Sequence, residues 1–129
     1  MWKNVNGELI HVTDTSRVKF RTNISRAVLE KLGALAEENH TYANYMLETG
    51  LQNLLADGSI NYNKKTRPKD RVQYKTTYDK ELLAAVKKFA ADHDLFINDV
   101  IEYSINFIDL KNCKDKNYKH RIEKIQINQ

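Results

Sequence analysis

The sequence predicts a mainly α fold: a two-stranded antiparallel β-ribbon with four core helices, made from two copies of one strand-helix-helix unit. Three observations predict it. Residues 17–55 can be laid on residues 71–109 without a gap, at a shift of 54 positions (71 − 17). Arg17/Arg71, Val18/Val72, Thr22/Thr76, Ala36/Ala90, Asn44/Asn98 and Glu48/Glu102 are identical pairs under that shift. Each copy opens with alternating apolar and polar residues and continues with two stretches of helical period, separated by polar residues. A strand and two helices cannot bury their apolar faces alone, so the copies are expected to fold against each other.

In the first strand, Val18, Phe20, Thr22 and Ile24 share one face, and Lys19, Arg21 and Asn23 the other. In the second, Val72, Tyr74, Thr76 and Tyr78 oppose Gln73, Lys75 and Thr77. β-branched and aromatic residues on the inward side favour strands, and the two segments should pair antiparallel as the smallest sheet. Ser25 and Asp79 then stand where a helix N-cap is wanted, each with a side-chain oxygen for the unpaired N–H groups of a first turn.

The first helices carry stripes of Val28, Leu29, Leu32, Leu35 and Ala36, and of Leu82, Leu83, Val86, Phe89 and Ala90. They should stop at the polar clusters Glu38-Asn39-His40-Thr41 and Asp92-His93-Asp94. The second helices resume with Ala43, Met46, Leu47, Gly50, Leu51 and Leu54, and with Ile97, Val100, Ile101, Ser104, Ile105 and Ile108. Glycine in mid-helix costs about 1 kcal/mol against alanine, so Gly50 and its counterpart Ser104 predict a close crossing of the two second helices.

The remaining segments are a 1–16 N-terminal arm or hairpin, a 56–70 linker and a 110–129 basic C-terminal tail. Asn6-Gly7 resembles a hairpin turn, which leaves two readings open: an extra strand packing Trp2 and Ile10 on the domain, or an arm reaching a partner. The tail carries Lys111, Lys114, Lys116, Lys119, Arg121 and Lys124 against Asp115 and Glu123. It is either a phosphate-holding tail or, through Ile122, Ile125 and Ile127, a further packed element. The linker carries Lys64, Lys65, Arg67 and Lys69 against Asp57 and Asp70, so positive charge is expected to concentrate outside the helices.

A net charge of +4 and 41% hydrophobic residues suit one core and a polyanionic partner. No run of about 18 apolar residues occurs, and Met1-Trp2-Lys3-Asn4 does not open a signal peptide, so a cytoplasmic protein without a membrane partner is expected. Cys113 is the only cysteine and His11, His40, His93 and His120 are scattered, so neither a disulfide nor a metal site is expected, and no cofactor. With no Gly-rich phosphate loop and no nucleophile beside a base, an enzyme is not expected.

A basic alternating strand followed by two amphipathic helices, the first ending in Leu35-Ala36-Glu37-Glu38-Asn39, resembles the ribbon-helix-helix (Arc/MetJ-like) DNA-binding family. The resemblance spans both copies and implies a tandem pseudo-dimer in which one polypeptide supplies both strands of the ribbon. In that family the ribbon enters the major groove of double-stranded DNA. The resemblance assigns base contacts to Lys19, Arg21 and Asn23 with Gln73, Lys75 and Thr77. The chemistry agrees: Arg and Lys donate to guanine, Asn and Gln pair with adenine, and a threonine methyl meets a thymine methyl.

The family also seats a phosphate at the N-terminus of the second helix, which here places phosphate contacts at Tyr42, Ala43 and Asn44, and at Phe96, Ile97 and Asn98. Tyr42 and Phe96 replace the small hydroxyl cap usual there. Thr41 is expected to rescue the first cap, and Leu95 offers nothing to the second. The functional expectation is a transcriptional regulator, a repressor acting by occupancy, with self-association of pseudo-dimers on adjacent sites left open. The alternatives are an accessory factor of plasmid transfer or partition, and a protein-interaction module, antitoxin-like or anti-regulator, on the same fold.

Overall fold

The computed structural model describes residues 16–115 in full and, before them, the backbone of Trp2–Val5 and Glu8–His11. The described residues are mainly helical, with four α-helices and a two-stranded antiparallel sheet joining the two halves. The order is β1 (Trp2–Val5), β2 (Glu8–His11), β3 (Arg17–Ser25), α1 (Arg26–Glu38), α2 (Ala43–Asp57), β4 (Arg71–Asp79), α3 (Lys80–Asp92) and α4 (Ile97–Tyr103). Short 3-10 turns lie at Lys64–Thr66 and Ser104–Phe107. β1 and β2 pair antiparallel, Val5 opposite Glu8. How Trp2 and Ile10 pack, and the tail from residue 116 onward, lie outside the described residues.

β3 and β4 pair antiparallel from Arg17↔Asp79 to Ser25↔Arg71, with Arg21 opposite Lys75 at the centre. Arg21 and Lys75 are also equivalent under the 54-position shift, so the register is the one an internal twofold requires. The strand ends repeat this symmetry. Arg26 N–H donates to Asp70 O at 3.0 Å and Lys80 N–H to Ser16 O at 2.8 Å, each helix start being tied to the residue before the opposite strand.

Ser25 and Asp79 cap α1 and α3, their side chains accepting from Val28 N at 3.4 Å and Leu82 N at 2.9 Å. Both helices end at the expected polar clusters, and the chain then turns through left-handed residues at equivalent positions, His40 (φ 49°) and Asp94 (φ 53°). Ile24, Leu32, Met46, Leu47, Leu51 and Leu54 of the first half share one core with Tyr78, Leu82, Val86, Val100 and Ile101 of the second. Neither half closes a core alone.

The second helices meet where the small residues are. A Cβ on Gly50 would lie 2.3 Å from the Ser104 carbonyl oxygen, so only glycine permits this approach. The expected length of the last helix needs correction: α4 ends at Tyr103, and the stretch through Phe107 tightens into a 3-10 turn instead of continuing helically to Ile108. The buried Ser104 hydroxyl donates to Ile101 O at 2.6 Å, giving that carbonyl a partner other than an α-helical amide.

Candidate nucleic-acid interface

The alternation of the strands places five of the six expected base-reading residues on an exposed surface: Lys19, Arg21 and Asn23 on β3 and Gln73 and Lys75 on β4. Register joins the six as cross-strand pairs, Lys19↔Thr77, Arg21↔Lys75 and Asn23↔Gln73. Three cations and two amides thus line one face of the ribbon, which carries no carboxylate among these positions. Thr77 is only partly exposed because it is held from below. Arg17 Nε donates to its hydroxyl at 3.2 Å, and Asn44 Nδ2 donates to its carbonyl at 3.1 Å.

The ribbon is held by a joint that occurs in both halves. Arg17 on β3 is ion-paired to Glu48 on α2, and Arg71 on β4 to Glu102 on α4 at 2.6 Å. Four of the residues that recur identically between the copies are therefore two instances of one strand-to-helix ion pair. Glu102 also accepts from Ser25 N–H at 2.8 Å, which fastens α4 to the end of the opposite strand. The sequence marked these residues only as repeated; that both Arg-to-Glu spacings are equal was the available signal.

The second half adds to this joint. Asp99, fully buried, accepts from Arg71 at 2.7 Å and from Arg67 of the linker at 2.8 Å. Burial by itself would raise the Asp99 carboxyl, but the hydrogen bonds from Arg67 and Arg71 outweigh it and hold the group at about 2. Hydrogen bonding to Glu102, and then to Asp99, pushes Arg71 well above its ordinary range despite its burial. The equivalent of Asp99 in the first half is Tyr45, whose ring lies 5.6 Å from the Arg17 guanidinium carbon.

The expected phosphate positions fall at the starts of α2 and α4, where the exposed rings of Tyr42 and Phe96 are the N-caps. One expectation about these caps is overturned. Thr41 does not rescue the first: it is buried, and its hydroxyl donates to Lys114 O. At the second, Leu95 has no polar side chain to offer, and Asp99 reaches back from the third helical position to accept from Phe96 N–H at 3.0 Å. Ala43 and Ile97 open the two helices, both partly exposed. Asn44 reaches the β4 backbone, whereas the buried Asn98 Oδ1 has no hydrogen-bond partner among the described residues.

Two of the linker's cations are engaged by carboxylates. Arg67 is committed to Asp99 and lies 4.4 Å above the Phe96 ring, and Lys64 Nζ is 3.0 Å from Asp94. Among the described residues no group of His, Cys, Asp and Glu side chains could hold a metal ion, and no helix is long and apolar enough to cross a membrane. Comparisons with family models, curated proteins and solved structures gave no match for this chain.

Proposed function

We propose that this chain is a sequence-specific double-stranded DNA-binding protein built as a tandem ribbon-helix-helix pseudo-dimer, acting as a repressor by occupancy rather than as an enzyme. The observation that carries the reading is the outward ribbon face, where Lys19, Arg21, Asn23, Gln73 and Lys75 stand exposed as cross-strand neighbours on a scaffold fixed by repeated ion pairs. A two-stranded ribbon fits the major groove, and these side chains carry the donors and acceptors that distinguish base edges there. The start of α2 supports a flanking phosphate better than that of α4, where the Asp99 carboxylate already takes a backbone N–H.

Selection of bound duplexes from a random pool, followed by footprinting, tests this. A groove reader with roughly six phosphate contacts loses affinity on the order of a thousandfold between about 50 and 200 mM salt. Arg21→Ala should relax base preference at one position at a cost of about 1–3 kcal/mol. The exposed rings of Tyr42 and Phe96 favour the competing reading, a protein-interaction module on the same fold. That reading predicts no duplex affinity to titrate. A factor of plasmid transfer or partition would use the same ribbon and is separated only by the location of its sites.

A further inference from the structure

A ribbon lying in a major groove about 12 Å wide turns its two unpaired strand edges toward the two phosphate walls. In this chain the edges differ. Beside β3, a shallow groove against α3 has Phe20 in its floor and Lys19, Lys80 and Lys87 along it, with no carboxylate in its lining. All three lysines are exposed. Lys87 Nζ lies 5.0 Å from the Phe20 ring centroid, which keeps its ammonium at the strand edge. Lys19 belongs to the outward ribbon face as well, so the cationic groove and that face are continuous.

The same positions of the other half, found through the 54-position shift, read differently. Gln73, Arg26 and Gly33 stand where Lys19, Lys80 and Lys87 do, and Glu30 replaces Ala84 of the groove lining. Three cations on one side thus correspond to one cation and one carboxylate on the other.

We propose that Lys80 and Lys87 hold phosphates of the DNA strand passing the β3 edge, so that the duplex is gripped more firmly on that side of the ribbon than along β4. This rests on the reading of the ribbon as a DNA reader. Ammonium groups on phosphates fix position and orientation without reading sequence, so the asymmetry of grip is separate from base choice. An acidic polypeptide is the other occupant such a groove could take. Duplex DNA is favoured because the groove runs into a face whose amide and guanidinium groups match base edges.

The test uses the full chain, a duplex selected from the random pool and an unrelated duplex, in salt titrations of the wild type, Lys80→Gln/Lys87→Gln and Arg26→Gln. The double variant should bind both duplexes on the order of tenfold more weakly, and its slope of log affinity against log salt should flatten by about 1.8, two phosphates at about 0.9 each. Its base preference should stay that of the wild type, and phosphate-ethylation interference should disappear on one flank of the site only. Arg26→Gln should change the slope by less than about 1. An unchanged slope in a double variant that still binds DNA overturns the proposal and points to an acidic protein partner. A wild type without duplex affinity overturns the ribbon reading itself, so the two failures are told apart.

Discussion

The two halves of this chain share a strand-to-helix ion pair but bury it differently. In the first, Arg17 meets Glu48 and then the aromatic ring of Tyr45; in the second, Arg71 meets Glu102 and the buried carboxylate of Asp99, which Arg67 of the linker also grips. The repeated pair orients each strand on its own second helix. The added carboxylate does something else, because it ties the segment that connects the halves to the start of α4. The same joint stands in both halves, and Asp99, at the position Tyr45 holds in the first, makes the second copy of it an anchor for Arg67 of the linker.

Removing that anchor should have the largest effect. Asp99→Ala leaves two guanidinium groups without their shared carboxylate and frees the N–H of Phe96, for a loss of about 3 kcal/mol. Glu48→Ala breaks only the simpler pair, with Arg17 still bonded to Thr77, and should cost about 2 kcal/mol. Urea unfolding midpoints of the two variants check the ranking; equal midpoints would mean that the linker contact adds nothing.

The helix crossing divides the halves in the same way. Gly50→Ala drives a Cβ onto the Ser104 backbone and should cost about 2–3 kcal/mol despite alanine's better helix propensity. Ser104→Ala removes one hydroxyl bonded to Ile101 O and should cost about 1 kcal/mol. Thermal unfolding of both distinguishes a contact of unequal sides from one in which the small residues are interchangeable.

How much of this was legible in the sequence follows from what kind of pattern a sequence carries. Ser25, Asp79, the two strands and the Gly50–Ser104 crossing are set by local chemistry or by period, and both can be counted along a chain. The ion pairs join residues far apart in sequence, and identity between copies marks Arg17, Glu48, Arg71 and Glu102 without saying that they touch. Asp99 escaped because a cap was sought before the helix, whereas its carboxylate reaches back from inside it. Arg67 was counted only as one of the linker's cations, because its partner Asp99 lies on a different element. The alternation that put Lys19, Arg21, Asn23, Gln73 and Lys75 outward was legible; the tethering of Thr77 by Arg17 and Asn44 was not.

Acid should act through the second half first. Asp99 has an ordinary carboxylate value of 3.8 in the unfolded chain and about 2 in the folded one. Between those values the unfolded state binds the extra proton, so stability falls as pH drops through the window and is fully present above it. The contribution is about 2 kcal/mol. Unfolding free energy measured from pH 5 downward should decline by about that amount in the wild type and by less in Asp99→Asn.

The smallest effect concerns Ile24 and Tyr78, equivalent strand positions that are both fully buried. Isoleucine asks nothing of the core beyond space. The Tyr78 hydroxyl is buried without a hydrogen-bond partner among the described residues, and burial pushes its pKa up. An unpaired buried hydroxyl carries a desolvation cost with no compensating bond. Tyr78→Phe keeps the ring and its edge-on contact with Phe20 at 6.3 Å while removing that cost. Its stability should therefore be unchanged or higher by up to about 1 kcal/mol, bringing this side of the core nearer to the Ile24 side. A loss of more than about 1 kcal/mol on thermal unfolding would show that the hydroxyl is bonded after all, and that the two strands are anchored less alike than their burial suggests.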